Sequence, residues 1–138
     1  MARRWFEEVW NQRRSETIDE LLTPQSLCLA DDGPLTGPEE FRQRIYIPFL
    51  AAFPDLKINV EGVIGDGDDV VVRWSAVGTH TGMGIGCNPT SRQATFRGMT
   101  WLRIQGGKMM YGWQHSNIPD VLRSLAADPS QPVPAVVT

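Results

Sequence analysis

The stretch GKMMYGWQHSN (Gly107 to Asn117) carries one of the two histidines of the chain and ends on an amide. Read as a strand, it points successive side chains to opposite faces. Met109, Tyr111, Trp113, His115 and Asn117 then share one face, and Met110, Gly112, Gln114 and Ser116 the other. The first set is bulky, amphipathic and polar-tipped, which suits the wall of a pocket that orients a ligand through a few hydrogen bonds. Core packing of Met, Tyr and Trp around a structural histidine is the alternative. On the preceding strand Met99, Trp101 and Arg103 share a face in the same way, and the guanidinium of Arg103 reaches either a ligand or solvent. His80 closes the run RWSAVGTH in line with Val72, Trp74 and Ala76, so it looks into such a pocket or out from its rim.

Other chemistries fit less well. The glycine run TGMGIGCNPT follows a strand, but Cys87 stands where a dinucleotide fingerprint needs its third glycine. Pro89 and strand-like residues follow where a helix should open, so the run reads as a hairpin connection that could cover a pocket mouth. A metal site needs three or four convergent His, Cys or carboxylate groups; here the two histidines are far apart and neither has a carboxylate pair beside it. No GxSxG elbow is present, and Cys28 and Cys87 form neither a CxxC pair nor metal-ligand spacing. No metal and no cofactor are expected.

The 138 residues suffice for one domain with a real core, with 41% apolar and 21% charged residues. A net charge of −3, with the arginines interleaved among acids, gives no basic patch for nucleic acid or an anionic membrane. No apolar run approaches the ~20 residues of a membrane helix. The start MARRWFEEVW lacks the apolar core of a secretory signal, so a cytoplasmic location is expected.

The elements that must carry these side chains change period halfway. ARRWFEEVWNQRR pairs Trp5 with Val9 and Phe6 with Trp10 at helical spacing. SETIDELLTP follows, with Thr17 and Glu20 spaced as a capping box and Pro24 as a stop. A third helix opens at Gly37-Pro38, repeats Phe41, Ile45, Phe49 and Phe53, and should kink at Pro48. Beyond Pro54 the chain reads as four long antiparallel strands, turned at Asp66-Gly67 and Gly106-Gly107, then a short helix with Pro119 in its first turn. This is an α+β layout, a strongly curved sheet packed on about three helices as a cone with a pocket inside. Residues 1–126 form the domain, and 127–138 read as a flexible Pro-rich tail.

Taken together, FEEVWNQ with IDELL, TGPEEFR, AAFPDLKINVE, VVVRWSAVGTHTG, PTSRQATFRGMTWLRIQGGK and GWQHSN followed by LRSL carry a resemblance over nearly all of residues 4–125. In order and spacing the chain resembles the SnoaL-like polyketide (ester) cyclase family, of nuclear transport factor 2-like fold. The resemblance implies the cone with its pocket, a homodimer through the open sheet face, and cofactor-free chemistry. In catalytic members a carboxylate near the end of the last strand removes a proton alpha to a carbonyl, so that an intramolecular aldol closure follows. Spacing from Trp113 places Asn117 at that position, and an amide is no base.

Two readings follow. In the first, the protein is an enzyme of cyclase or isomerase type on an apolar carbonyl compound. His115 serves as acid and base, and Asn117 orients the substrate or stabilises an enolate. Trp10, Trp74, His80, Met99, Trp101, Arg103, Tyr111 and Trp113 contact the substrate. In the second, the same pocket binds an apolar small molecule without turnover. Hydroxylase-like activity without a cofactor, as in some relatives, and a purely structural dimerisation module are further alternatives. Epoxide hydrolysis would need acids flanking Arg103, and none is evident.

Overall fold

The apolar spacing of the N-terminal segment produces a helix, though not a uniform one. In the computed structural model, which describes residues 1–31 and 33–127, α1 (Ala2–Arg4) runs directly into a π-helical stretch, Trp5–Asn11. Its wider turn closes with the Gln12 N–H on the Glu7 carbonyl at 2.8 Å, and it buries Trp5, Phe6, Val9 and Trp10. α2 (Glu16–Leu21) follows. The expected capping box does not form: α2 has no side-chain cap, and the buried Thr17 hydroxyl instead donates to Glu8 at 3.0 Å.

The third helix begins as expected, with α3 (Gly37–Phe41) carrying Pro38 and two glutamates in its first turn. A second π-helical stretch, Arg42–Tyr46, then leads into α4 (Ile47–Ala52). Pro48 lies in the first turn of α4. Its missing N–H and rigid ring therefore coincide with a change of helical pitch rather than with the middle of a regular helix. The Tyr46 hydroxyl, buried with its ring, donates to the Val9 carbonyl at 2.9 Å and joins the two long helical segments.

Two short strands, β1 (Leu27–Ala30) and β2 (Gly33–Thr36), stand between the helices and join the sheet. They were not expected. β3 (Lys57–Asp66), β4 (Asp69–Thr79), β5 (Gln93–Gln105) and β6 (Lys108–Ser116) form the antiparallel meander, and α5 (Ile118–Ala126) closes it. The strand order is β2-β1-β6-β5-β4-β3, with β1 parallel to β6 and every other pairing antiparallel. The α+β expectation holds, as a mixed six-stranded sheet. The reading of 127–138 as a tail falls, apart from Ala127, outside the described residues. No described helix is long and apolar enough to cross a membrane.

One irregularity decides what each face of β6 carries. Arg103 pairs with Tyr111, but Ile104 pairs with Met109, so Met110 has no partner on β5. Such a bulge adds one residue and reverses the alternation beyond it. Met109 faces the core at 4% exposure. From Gly112 onward it is the even-numbered residues that face inward, while Tyr111, beside the bulge, is half-buried at the edge of the cavity.

The core lies between this inner face and the helices. Phe49, Phe53 and Phe96 meet with ring centroids 5.0–5.3 Å apart, and Trp10 packs edge-on to Phe41, Tyr46 and Phe49. Each fully buried side chain of this size contributes roughly 1.5–3 kcal/mol. The glycine-rich connection from β4 to β5 lies against α4, where the N–H groups of Thr81 and Gly82 both donate to the Ala52 carbonyl. A Cβ at Gly82 would sit 1.8 Å from the Ala51 carbonyl oxygen, so glycine there permits contact of backbone with helix rather than with a phosphate.

Candidate functional site

A cavity with about 110 Å³ of free space remains between the inner sheet face and the helices. The π-helical stretches and α3 supply Trp5, Phe6, Trp10, Phe41 and Ile45; the sheet supplies Trp74, Ala76, Phe96, Thr100, Leu102, Gly112 and Gln114. Cys28 and Ala30 of β1 line it too. The cavity exists because small side chains occupy its sheet face where large ones would fill it: Gly112 on β6, and Cys28 and Ala30 on β1.

Across this mostly apolar chamber, which Ser26 and Tyr111 also line, runs a hydrogen-bonded row of polar groups. The indole Nε1–H of Trp74 donates to Thr100 Oγ1 at 3.0 Å. The Thr100 hydroxyl donates to Gln114 Oε1 at 3.2 Å, and Gln114 Nε2 donates to Asp31 Oδ2 at 3.1 Å. Three adjacent strands supply the first three members, and the turn after β1 supplies the fourth. Asp31 also accepts the Ser116 backbone N–H at 2.9 Å and its hydroxyl at 2.6 Å. The carboxylate thereby ties the end of β1 to the end of β6. Gln114 and Ala30 line the cavity on one side and, with Asp31, Ser116, His115 and Asp120, a shallower polar depression at the surface on the other.

The expected site residues divide. Trp10, Trp74 and Tyr111 line the cavity. Met99, Trp101 and Trp113 lie on the outer face, at 52%, 42% and 49% exposure. Arg103 lies with them and pairs with Asp69 at 3.0 Å, which keeps that carboxyl below its usual range. The placement of His115 on the cavity face is corrected by the Met110 bulge, which turns His115 outward opposite Met99 and exposes it. Asn117 is corrected too: it is the residue before α5, and its Oδ1 accepts the Arg97 N–H at 2.8 Å. Its amide therefore extends the hydrogen bonding of β5 past the last paired residue of β6 instead of facing a ligand.

His80 points inward but lies beyond the cavity. It is fully buried behind Phe53, ring centroids 5.5 Å apart. Its Nδ1 accepts the Thr90 N–H at 3.3 Å and lies 3.1 Å from the Thr90 hydroxyl. The tautomer that fits is neutral, with its hydrogen on Nε2, and burial pushes the imidazole pKa below its ordinary value.

Sequence reading missed Asp31, Gln114, Thr100 and Cys28. The small and polar face of β6 was itself a signal, since a cavity wall is recognisable by what does not fill it. The glycine between LCLA and PLT was another, a turn signal between two short apolar runs. Among the described residues, no group of three or more His, Cys, Asp or Glu side chains could hold a metal ion.

Comparison with known proteins places this geometry. The family model for SnoaL-like polyketide cyclases matches residues 1–125. A candidate SnoaL-like polyketide cyclase from Jannaschia sp. CCS1 is similar at TM-score 0.79 and 22% identity, over 95% of this chain and 90% of that one. AclR, a candidate hydroxylase from Streptomyces galilaeus, matches at TM-score 0.74 and 23% identity, over 87% and 88%. A candidate polyketide cyclase from Acidithiobacillus ferrooxidans matches at TM-score 0.73 and 26% identity, over 91% and 93%. Among curated proteins no sequence matches significantly. A nuclear transport factor 2-like protein of Burkholderia pseudomallei shares the fold at TM-score 0.72 and 17% identity, over 92% and 95%.

Proposed function

The chain belongs to the SnoaL-like polyketide cyclase family, and from that premise we propose that it is a cofactor-free enzyme of cyclase or isomerase type acting on a small apolar carbonyl compound. The observation that carries this reading is the hydrogen-bonded polar row Trp74–Thr100–Gln114–Asp31 in a mostly apolar chamber. Aromatic walls hold a ring or short chain by burial and stacking, while the polar line gives the oxygen-bearing end of the substrate, in its enol form, one place to hydrogen-bond. About 110 Å³ is small beside the ~300–1,000 Å³ of common ligand clefts, so the substrate is compact or the walls part to admit it. Trp10, Trp74 and Tyr111 contact the substrate. Two copies associate through the outer sheet face, whose exposed Met99, Trp101 and Trp113 form an apolar surface on the side away from the cavity.

One observation favours the second reading, binding without turnover. Among the described residues, no Asp, Glu, His, Lys or Arg lines the cavity; Cys28 and Tyr111 are its titratable groups. Deuterium exchange separates the two. Small enolisable ketones and 1,3-diketones are incubated with the protein in D2O, and loss of the alpha-proton signal is followed by NMR, with tryptophan fluorescence reporting binding. Catalysis predicts exchange well above buffer that disappears in Gln114→Leu/Thr100→Val. Binding with no exchange above buffer leaves the second reading standing.

A further inference from the structure

The direction of every hydrogen bond in the polar row is fixed from one end. Asp31 brings a carboxylate oxygen 3.1 Å from the Gln114 side-chain amide. A carboxylate accepts and cannot donate, so the amide must turn its NH2 toward Asp31 and its oxygen toward Thr100. At the other end the indole of Trp74 can only donate, and it spends its hydrogen on Thr100 Oγ1. The one hydrogen of Thr100 is then left for Gln114 Oε1, as the 3.2 Å contact requires. Both the indole N–H and the threonine O–H are consumed within the row. What remains toward the chamber is a lone pair on Thr100 Oγ1 and another on Gln114 Oε1. The single spare hydrogen of Gln114 stays on Nε2, the end of the amide held by the carboxylate.

We infer that Asp31 is a positioning and specificity residue that makes the cavity floor a hydrogen-bond acceptor, and that the cavity selects hydroxyl-bearing apolar ligands, enols or phenols, over their ketone or ether counterparts. This deepens the proposed function: it rests on the cavity being the ligand site and names the substrate class as the enolised or phenolic form. At the row a ligand hydroxyl donates to Thr100 or Gln114, whereas a ketone oxygen placed there meets lone pairs with no hydrogen between them; the Tyr111 hydroxyl is a lining group outside the row. A buried acceptor facing an acceptor loses about tenfold or more in affinity relative to the matched pair. Asp31 acts through Gln114 and does not itself line the cavity.

The test uses three single-ring probes of similar shape: p-cresol, 4-methylacetophenone and p-xylene. Binding to the wild-type chain and to Asp31→Asn and Thr100→Val is measured by titration calorimetry. In the wild type, p-cresol should bind about tenfold tighter than the other two. Asp31→Asn offers Gln114 either amide orientation, so the preference for cresol over the ketone should shrink toward unity while p-xylene affinity stays the same. Thr100→Val removes an acceptor and releases the Trp74 N–H, so the ketone should gain on cresol even if Asp31→Asn fails to fold. Equal wild-type affinity for cresol and ketone, with p-xylene bound, overturns this inference and leaves the cavity reading intact. Failure of all three probes to bind overturns both.

Discussion

Trp101 stands directly across from Trp113 on β5 and β6, ring centroids 6.5 Å apart and planes at 64°. The pair faces away from the cavity, and both rings remain about half exposed. Beside them Met99 is 52% exposed, and farther along the same face, opposite Thr95, Val77 is 38% exposed. So much apolar surface on one sheet face is what association between copies would cover.

Trp101→Glu together with Trp113→Glu should therefore convert a dimer to a monomer. Sedimentation equilibrium of the wild type should give twice the 15.4 kDa of one chain, and the double variant the single value with an unchanged circular dichroism spectrum. A wild type that sediments as a monomer at all accessible concentrations removes the dimer from the proposal.

Gly98 lies where β5 passes closest to Trp74. A Cβ there would come within 2.7 Å of both the Trp74 ring and the Ser116 Cβ. Gly98→Ala should destabilise the fold by about 1–3 kcal/mol through overpacking and push the Trp74 ring toward the chamber. Urea denaturation gives the first quantity; weakened binding of a cavity ligand reports the second.

Stability should fall as the solution is acidified from pH 7 to 5. His80 is neutral and buried, with its pKa depressed by desolvation. The unfolded chain takes up a proton near ~6.5, the folded one only at lower pH. The native state is thus fully favoured above that value and loses ground as pH drops through it, by at most about 1.4 kcal/mol per pH unit. The carboxylates whose pKa values are lowered, Glu8, Asp55 and Asp69 among them, keep their charge throughout this window and act in the same sense only at lower pH. Denaturation midpoints of His80→Asn should show a flatter slope between pH 5 and 7; an unchanged slope removes His80 as its source.

His115→Ala should leave cavity binding unaltered, because the Met110 bulge turns that imidazole outward. Gln114→Leu should reduce affinity for a hydroxylated ligand by about tenfold. The reverse ranking by calorimetry would restore the pocket face to the odd-numbered residues of β6.

Much of the fold is legible in the sequence because its signals are local. Gly106-Gly107 turns the chain where expected, the turn expected at Asp66-Gly67 falls one residue on at Gly67-Asp68, and the start of α3 at Gly37-Pro38 follows from residue type alone. The site is less legible for two physical reasons. Both faces of β5 are apolar, Phe96 and Leu102 on one and Met99 and Trp101 on the other, so alternation reveals the faces but not which is inside. On β6 the bulge at Met110 changes the parity midway, and nothing in KMMYG announces an unpaired residue. Size misled as well, since Trp113 and His115 drew attention while the open space lay over Gly112 and Gln114.

The bond from Gln114 to Asp31 also has a history during folding. Its ends are 83 positions apart in the chain. Local pieces, the helices and the β4–β5–β6 meander, close short loops and can form early; the β1–β6 ladder must wait for a long one. A partly folded chain would then hold an apolar chamber with no carboxylate behind it and no fixed orientation for its amide. Backbone amides of β1 should accordingly exchange with solvent sooner than those of β4 and β5, and each such opening would briefly erase the selectivity of the chamber while leaving its walls standing.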